Sequence, residues 1–227
     1  MNRFTAFLTH FGVSSLIFLV LAYLILYAWY PSLFFATDGG WEGMRIVVAV
    51  DLILGPTLTL VVFKKDKPGL KTDLTLIGTL QAACLAVGVW IVYAERPIAM
   101  VYSDGHYFSM SAGAYEDFGV AVPDFSSFPG GYPKWIRVEL PEERESAIRA
   151  NAVFGDKIPL RFLSDYYQPY DKLAIDPHDA YDPIEIRERD DGVEAIPEFL
   201  AQAGGQFGDY MYFPFGTRYE YIFLAVE

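Results

Sequence analysis

The chain has 227 residues, 53% of them hydrophobic and 17% aromatic, with one cysteine and a formal net charge of −12. One cysteine excludes an intramolecular disulfide framework. So acidic a balance argues against nucleic acid or an anionic lipid surface as a partner.

The apolar residues are concentrated near the N-terminus. Phe11 to Thr37 contains no Asp, Glu, Lys or Arg; Ile46 to Phe63 contains only Asp51; Leu74 to Ala94 contains none. About 20 apolar residues cross the roughly 30 Å of hydrocarbon as a helix. These stretches are apolar all round, unlike the amphipathic helices of a soluble core. Three transmembrane helices are expected, the second being the shortest. A cleaved signal peptide would have a shorter apolar run and a small-residue cleavage site. Here the first run ends in Tyr27, Trp29, Tyr30, Phe34 and Phe35, as an interfacial aromatic belt would. An uncleaved anchor is expected.

The loop after the second stretch carries Lys64, Lys65, Lys67 and Lys71, whereas Pro31 to Met44 has only Asp38 and Glu42. Under the positive-inside rule the lysine loop and the N-terminus with Arg3 lie in the cytoplasm. Everything after the third span then lies outside, which in a Gram-negative cell is the periplasm. Residues 1–95 form the three-helix membrane domain. Residues 96–227 form an acidic periplasmic domain with 11 basic and 23 acidic residues, so the whole net charge resides there. Cys84 falls in the third stretch, so this outer domain needs a core of aliphatic and aromatic side chains. At about 130 residues it is large enough to have one.

Arg96-Pro97 ends the third helix, since proline disfavours helix in the residue before it. Met100 to Met110, broken by Asp104-Gly105, has the pattern of a hairpin. Gly119 to Pro133 is a proline- and glycine-rich loop, and Trp135 to Leu140 alternates like a strand. Pro141 to Val153 is expected to be helical, with Pro at its first turn and Glu142 and Glu143 at the positive end of the dipole. Tyr166 to Asp191 is read as irregular, Ile196 to Ala203 as a short helix ended by Gly204-Gly205. Tyr210 to Phe213 and Tyr219 to Val226 are expected to pair around Pro214-Phe215-Gly216. The fold class is an integral membrane protein with three N-terminal transmembrane α-helices and a small α+β soluble C-terminal domain.

Catalytic signatures are not found: no G-x-S-x-G, H-E-x-x-H, P-loop or G-x-G-x-x-G occurs. Of the three histidines, His10 lies at the membrane edge, His106 in the hairpin turn and His178 in an acidic loop. Asp176, His178, Asp179 and Asp182 are the densest polar cluster, but fit no calcium-loop spacing, and a solvated turn explains them. Neither a cofactor, a metal nor a catalytic residue is assigned.

Asp51 is the informative residue. A carboxylate inside a span costs about 2.5–3.5 kcal/mol on insertion scales and needs a partner or water. Gly55 allows close helix approach, and Pro56 removes a hydrogen bond and is expected to kink the helix. Gln81 and Thr79 of the third span can bond into this region, and Arg45 is another possible partner. Asp51, Gly55, Pro56 and Gln81 are the candidate membrane interaction residues. The bland alternative is that Asp51 snorkels to the outer interface.

Asp51-Leu-Ile-Leu-Gly-Pro-Thr, the lysine-rich loop to Leu70-Lys71-Thr72-Asp73-Leu74, Gln81 and Arg96-Pro97 together resemble the type IV pilin accessory proteins (the TfpZ-like group), inner-membrane proteins of Gram-negative bacteria. The resemblance is dense from about Phe4 to Phe108 and diffuse beyond. It implies a non-enzymatic role in pilin stability and pilus assembly or dynamics, with type IV pilin or pilus-assembly proteins of the inner membrane as partners. A membrane-anchored sensor, a small transporter component and a periplasmic enzyme are the other readings. The first has little cytoplasmic chain for output, the second too few spans and no internal symmetry, the third no advertised polar pocket.

Overall fold

The computed structural model describes residues 2–182, Ile186 and 199–227. The chain divides into two compact units between Arg96 and Pro97.

The first unit is built from three apolar helices, Arg3–Trp29, Gly40–Val62 and Leu70–Ala94. Each exceeds the roughly 20 residues needed to cross a bilayer, so this is a multi-pass membrane protein. The first helix starts at Arg3, where Asn2 caps it: its Oδ1 accepts from Thr5 N at 2.8 Å. The second and third helices each follow a glycine with positive φ, Gly39 (103°) and Gly69 (79°). Close approach of the helices rests on small residues. A Cβ at Gly43 would come within 2.7 Å of Val92 Cγ2. The aromatics closing the first span do not all form an interfacial belt. Tyr27 is exposed, but Tyr30 and Phe34 are buried, and the Tyr30 hydroxyl donates to Val92 O at 2.7 Å. The third span ends at Ala94. Arg96 then folds back, its Nη1 donating to Tyr93 O at 2.6 Å, where a cation suits a helix C-terminus.

The second unit is an α+β domain around a six-stranded mixed sheet. Its strands are β1 (Pro97–Ser103), β2 (His106–Ser111), β3 (Lys134–Val138), β4 (Tyr167–Pro169), β5 (Met211–Gly216) and β6 (Tyr221–Val226). Their spatial order is β4-β3-β1-β2-β5-β6. The β1–β2 hairpin forms as expected. Asp104 (φ 52°) and Gly105 (φ 73°) both adopt left-handed backbone, as the two-residue turn requires. β1 is central and buried along its whole length. Ala99, Val101, Met110 and Ile136 pack with Tyr115, Phe125, Phe162 and Tyr167 in one core. Tyr102, Tyr107 and Phe213 form an aromatic cluster, with ring centroids 4.9–5.9 Å apart.

Two expectations need correction, and a third is refined. Tyr166 to Asp191 is not wholly irregular: β4 pairs antiparallel with β3 there, Arg137 opposite Gln168. Three residues, the last of them Pro169, carry no alternation to read. Pro214-Phe215-Gly216 is not the turn of the C-terminal hairpin but the end of β5. The turn is Thr217 to Glu220, closed by Thr217 N donating to Glu220 O at 3.0 Å. Tyr212 O accepts from Tyr181 N at 2.8 Å, on the edge away from β6, and Pro214 two residues later faces the same way. Its missing N–H therefore costs the β5–β6 ladder nothing. Pro141 to Val153 is helical in three pieces, a 3₁₀ turn (Glu142–Arg144), an α-helix (Glu145–Ala150) and a π turn (Asn151–Gly155). Of the helix expected at Ile196 to Ala203, residues 196–198 lie outside the described residues and 199–203 are helical.

Hydroxyl pairs take the place of a disulfide in this core. Tyr167 donates to Arg161 O, so Tyr115 is the donor in its 2.7 Å contact with Tyr167. Tyr107 and Tyr170 meet at 2.8 Å. Burial pushes the Tyr115 phenol up to about 12 and raises Tyr102, Tyr107 and Tyr167 further. In the unfolded chain these phenols ionise near pH 10. The folded-state values are raised, so their stability contribution is complete below pH ~10 and is lost as pH climbs towards 12 and beyond. An alkaline titration of phenolate absorbance should show one class near pH 10 and a second appearing only with loss of near-ultraviolet circular dichroism. Titration of all tyrosines as one class near pH 10 would contradict the buried pairs.

Candidate functional site

Asp51 lies in the middle of the second span and is 2% exposed. It is not at an interface, and Arg45 is exposed rather than beside it. Its Oδ1 accepts from Gln81 Nε2 of the third span at 2.5 Å and from Ser14 Oγ of the first at 3.1 Å. One carboxylate oxygen thus ties all three helices together.

The backbone around Asp51 is unusual. The second helix changes from α to π between Val48 and Leu54 and returns to α at Gly55. Gly55 N donates to Val50 O, an i→i−5 bond. Pro56 supplies the physical reason. It has no N–H, and its ring crowds the carbonyl four residues earlier, so the preceding turn widens. In this wider register the missing donor would have served the Asp51 carbonyl. Gln81 Nε2 stands 3.4 Å from that oxygen as well as on Oδ1.

Gly55 gives Gln81 its space. A Cβ on Gly55 would fall on the Gln81 side-chain amide. The four residues singled out in the sequence therefore converge on one point: Asp51 as acceptor, Gln81 as donor, Gly55 as the gap and Pro56 as the cause of the open carbonyl. Thr79 does not join them and is exposed. Asp51 Oδ2 and Gln81 Oε1 are buried without a hydrogen bond among the described residues. An unmet buried acceptor costs about 1–3 kcal/mol.

Ser14 was missed, as was a second polar contact two turns along, where His10 Nδ1 lies 2.6 Å from Thr59 Oγ1. The signal was present as spacing. His10 and Ser14 are four apart, and so in turn are Asp51, Gly55 and Thr59. Such residues share a helix face. Ala6, Ser14, Leu21 and Ile25, all buried, continue the stripe on the first helix.

In the second unit the polar cluster at 176–182 serves local structure. Asp176 Oδ1 accepts from His178 N at 2.9 Å, and Asp179 Oδ2 accepts from the Tyr102 hydroxyl at 2.8 Å. No group of three metal-ligating side chains occurs among the described residues. His106 opens β2, with its Nδ1 2.7 Å from Asp104 O. A ring nitrogen facing a carbonyl carries the proton, so His106 Nδ1 is the donor.

No protein-family model and no solved structure matches the sequence. Curated relatives do. The chain is 30% identical over 125 residues to the fimbrial assembly protein of serogroup E1 from Dichelobacter nodosus, an alignment covering 53% of this chain and 48% of that one. The serogroup I protein of the same organism is 29% identical over the same shares. The protein of serogroups C1 and C2 is 30% identical over 96 residues, 41% of this chain and 72% of that protein. The chain belongs to the fimbrial assembly protein family. It spans about half the length of the serogroup E1 and I relatives. In this family member the best-defined polar site among the described residues of the membrane unit is the Asp51 junction.

The junction makes a specific prediction about Gly55. The Gln81 amide is the flexible end of its side chain, so Gly55→Ala is accommodated sterically by moving Gln81 off Asp51. Unfolding of the detergent-solubilised protein should show a loss of about 1 kcal/mol, the scale of interhelical polar contacts in membranes. In a Gln81→Ala background the same substitution should cost much less. Equal losses in both backgrounds would separate Gly55 from the Asp51–Gln81 contact.

Proposed function

We propose that this protein is an inner-membrane accessory of type IV pilus assembly that acts by protein contact rather than catalysis, supporting pilin stability or pilus dynamics. The observation that carries the reading is its likeness to proteins named for fimbrial assembly. The residues around Asp51, the lysine loop and Arg96-Pro97, which resemble the type IV pilin accessory proteins, support it.

The membrane unit offers a physical basis. Proteins that wait in a bilayer recognise one another through small residues and polar contacts, because lipid supplies no hydrophobic drive between helices. The outer faces of all three spans are apolar and exposed, including Leu16, Leu19, Val61, Leu76 and Trp90. The Asp51 junction fixes the relative rotation of the spans and so sets which of these faces point outward. In this reading Asp51 organises the surface that a hydrophobic pilin helix meets, and does not itself form the contact.

The same reading places the N-terminus and the Lys64–Lys71 loop in the cytoplasm and the acidic domain in the periplasm. An alkaline phosphatase fusion after Glu227 should be active, and activity of a cytoplasm-only reporter there would overturn the topology. Deleting the gene should reduce surface pili. Asp51→Leu should do the same while the protein stays inserted at normal abundance. Asp51→Asn, which retains a hydrogen-bond acceptor for Ser14 and Gln81, should retain more pili than the Leu variant. Normal piliation in the deletion strain would reject the assembly role, and normal piliation in Asp51→Leu alone would reject the role of the junction.

A further inference from the structure

The acidic unit contains a cationic cleft. It lies between the β1–β2 turn and the segment 149–161, with a volume of about 540 Å³. Arg149, Lys157 and Arg161 line it together with Phe108, Val153 and Leu160. Asp104 is the one carboxylate among the described residues on its wall, and it is already engaged, its Oδ1 2.5 Å from Arg149 Nη1. Arg149 is also occupied by Glu145 at 2.8 Å.

Arg161 is different. Its guanidinium is half-buried and has no carboxylate partner among the described residues. It rests on aromatic rings, with Cζ 4.5 Å from the Phe108 centroid, 5.1 Å from Phe162 and 5.9 Å from Phe118. Burial pulls its pKa below the ordinary arginine value. Stacking on aromatic faces offsets part of the cost of desolvating a cation, but leaves its five N–H donors without a fixed acceptor among the described residues. Lys157, exposed on the rim with left-handed backbone (φ 56°), adds a second cation that makes no ion pair among the described residues. In a domain with a large acidic excess, an unpaired guanidinium over an apolar wall is a receptor arrangement: a planar donor fork for an oxyanion beside a surface for an apolar body.

We propose that this cleft binds an organic oxyanion, a carboxylate or phosphate carried on an apolar body. Arg161 takes the anionic head, Lys157 adds attraction at the rim, and Phe108, Leu160 and Val153 hold the apolar part. The same chemistry can come from a free small molecule or from an acidic side chain beside an apolar residue in a polypeptide. This site is separate from the membrane junction and does not depend on the pilus reading.

The test is isothermal titration of the full chain in nanodiscs of zwitterionic lipid. The probes are 3-phenylpropanoate, its uncharged match 3-phenylpropanamide, and the blocked tripeptide acetyl-Phe-Glu-Leu-amide. The carboxylate should bind with a roughly millimolar Kd, as one charge-paired small anion does, and the amide at least about tenfold more weakly. Arg161→Met should weaken the carboxylate by about tenfold or more, while Arg144→Met, an exposed arginine outside the cleft, should leave it unchanged. Tighter binding of the tripeptide than of 3-phenylpropanoate would identify a polypeptide as the source, and weaker binding a free small anion. Equal binding of carboxylate and amide to the unmodified protein would overturn the proposal without recourse to any variant. So would full binding by Arg161→Met, or no binding of either anion.

Discussion

A carboxylate cannot stand alone in hydrocarbon. Asp51 sits mid-span, so the second helix must bring it donors from its neighbours, which among the described residues are the other two spans. Gln81 and Ser14 answer that requirement at one oxygen. Much of the membrane unit follows from it. Gly55 has no side chain because Gln81 occupies the space, and Pro56 opens a carbonyl that Gln81 also approaches. The π turn is the backbone's response to the proline rather than an independent feature. Residues that look like separate oddities in the sequence are parts of one contact.

The outer domain solves a different problem. It has no cysteine, so its core is held by aromatic packing and by hydroxyl pairs between tyrosines. Its acidic excess keeps the surface solvated, which makes the cleft around Arg161 stand out. Although acidic residues outnumber basic ones about two to one in this domain, the Arg161 guanidinium rests against phenylalanine rings and has no carboxylate partner among the described residues.

Legibility tracked the strength of local rules. The spans were readable because about 20 uncharged apolar residues have few alternative explanations, and Asp104-Gly105 because only a few dipeptides suit its turn. Asp51 and Gln81 were readable as costly polar residues in apolar helices. Ser14 was not, since a serine can satisfy itself on its own helix backbone and so raises no alarm. Its role appears only when its face is set against Asp51. β4 was illegible because three residues show no alternation, and its pairing with β3 is a tertiary fact. Pro214 misled because proline usually breaks a strand; the orientation away from β6 that excuses it is fixed by long-range partners.

The central claim is that Asp51 and Gln81 are in contact within the bilayer. Magic-angle-spinning NMR on the protein in lipid, labelled with ¹³C at aspartate carboxyls and ¹⁵N at glutamine side-chain amides, measures that separation directly. A dipolar coupling corresponding to less than about 4 Å, present in the parent and absent in Gln81→Leu, is the expected result. A parent protein in which no such coupling depends on Gln81 would contradict the account.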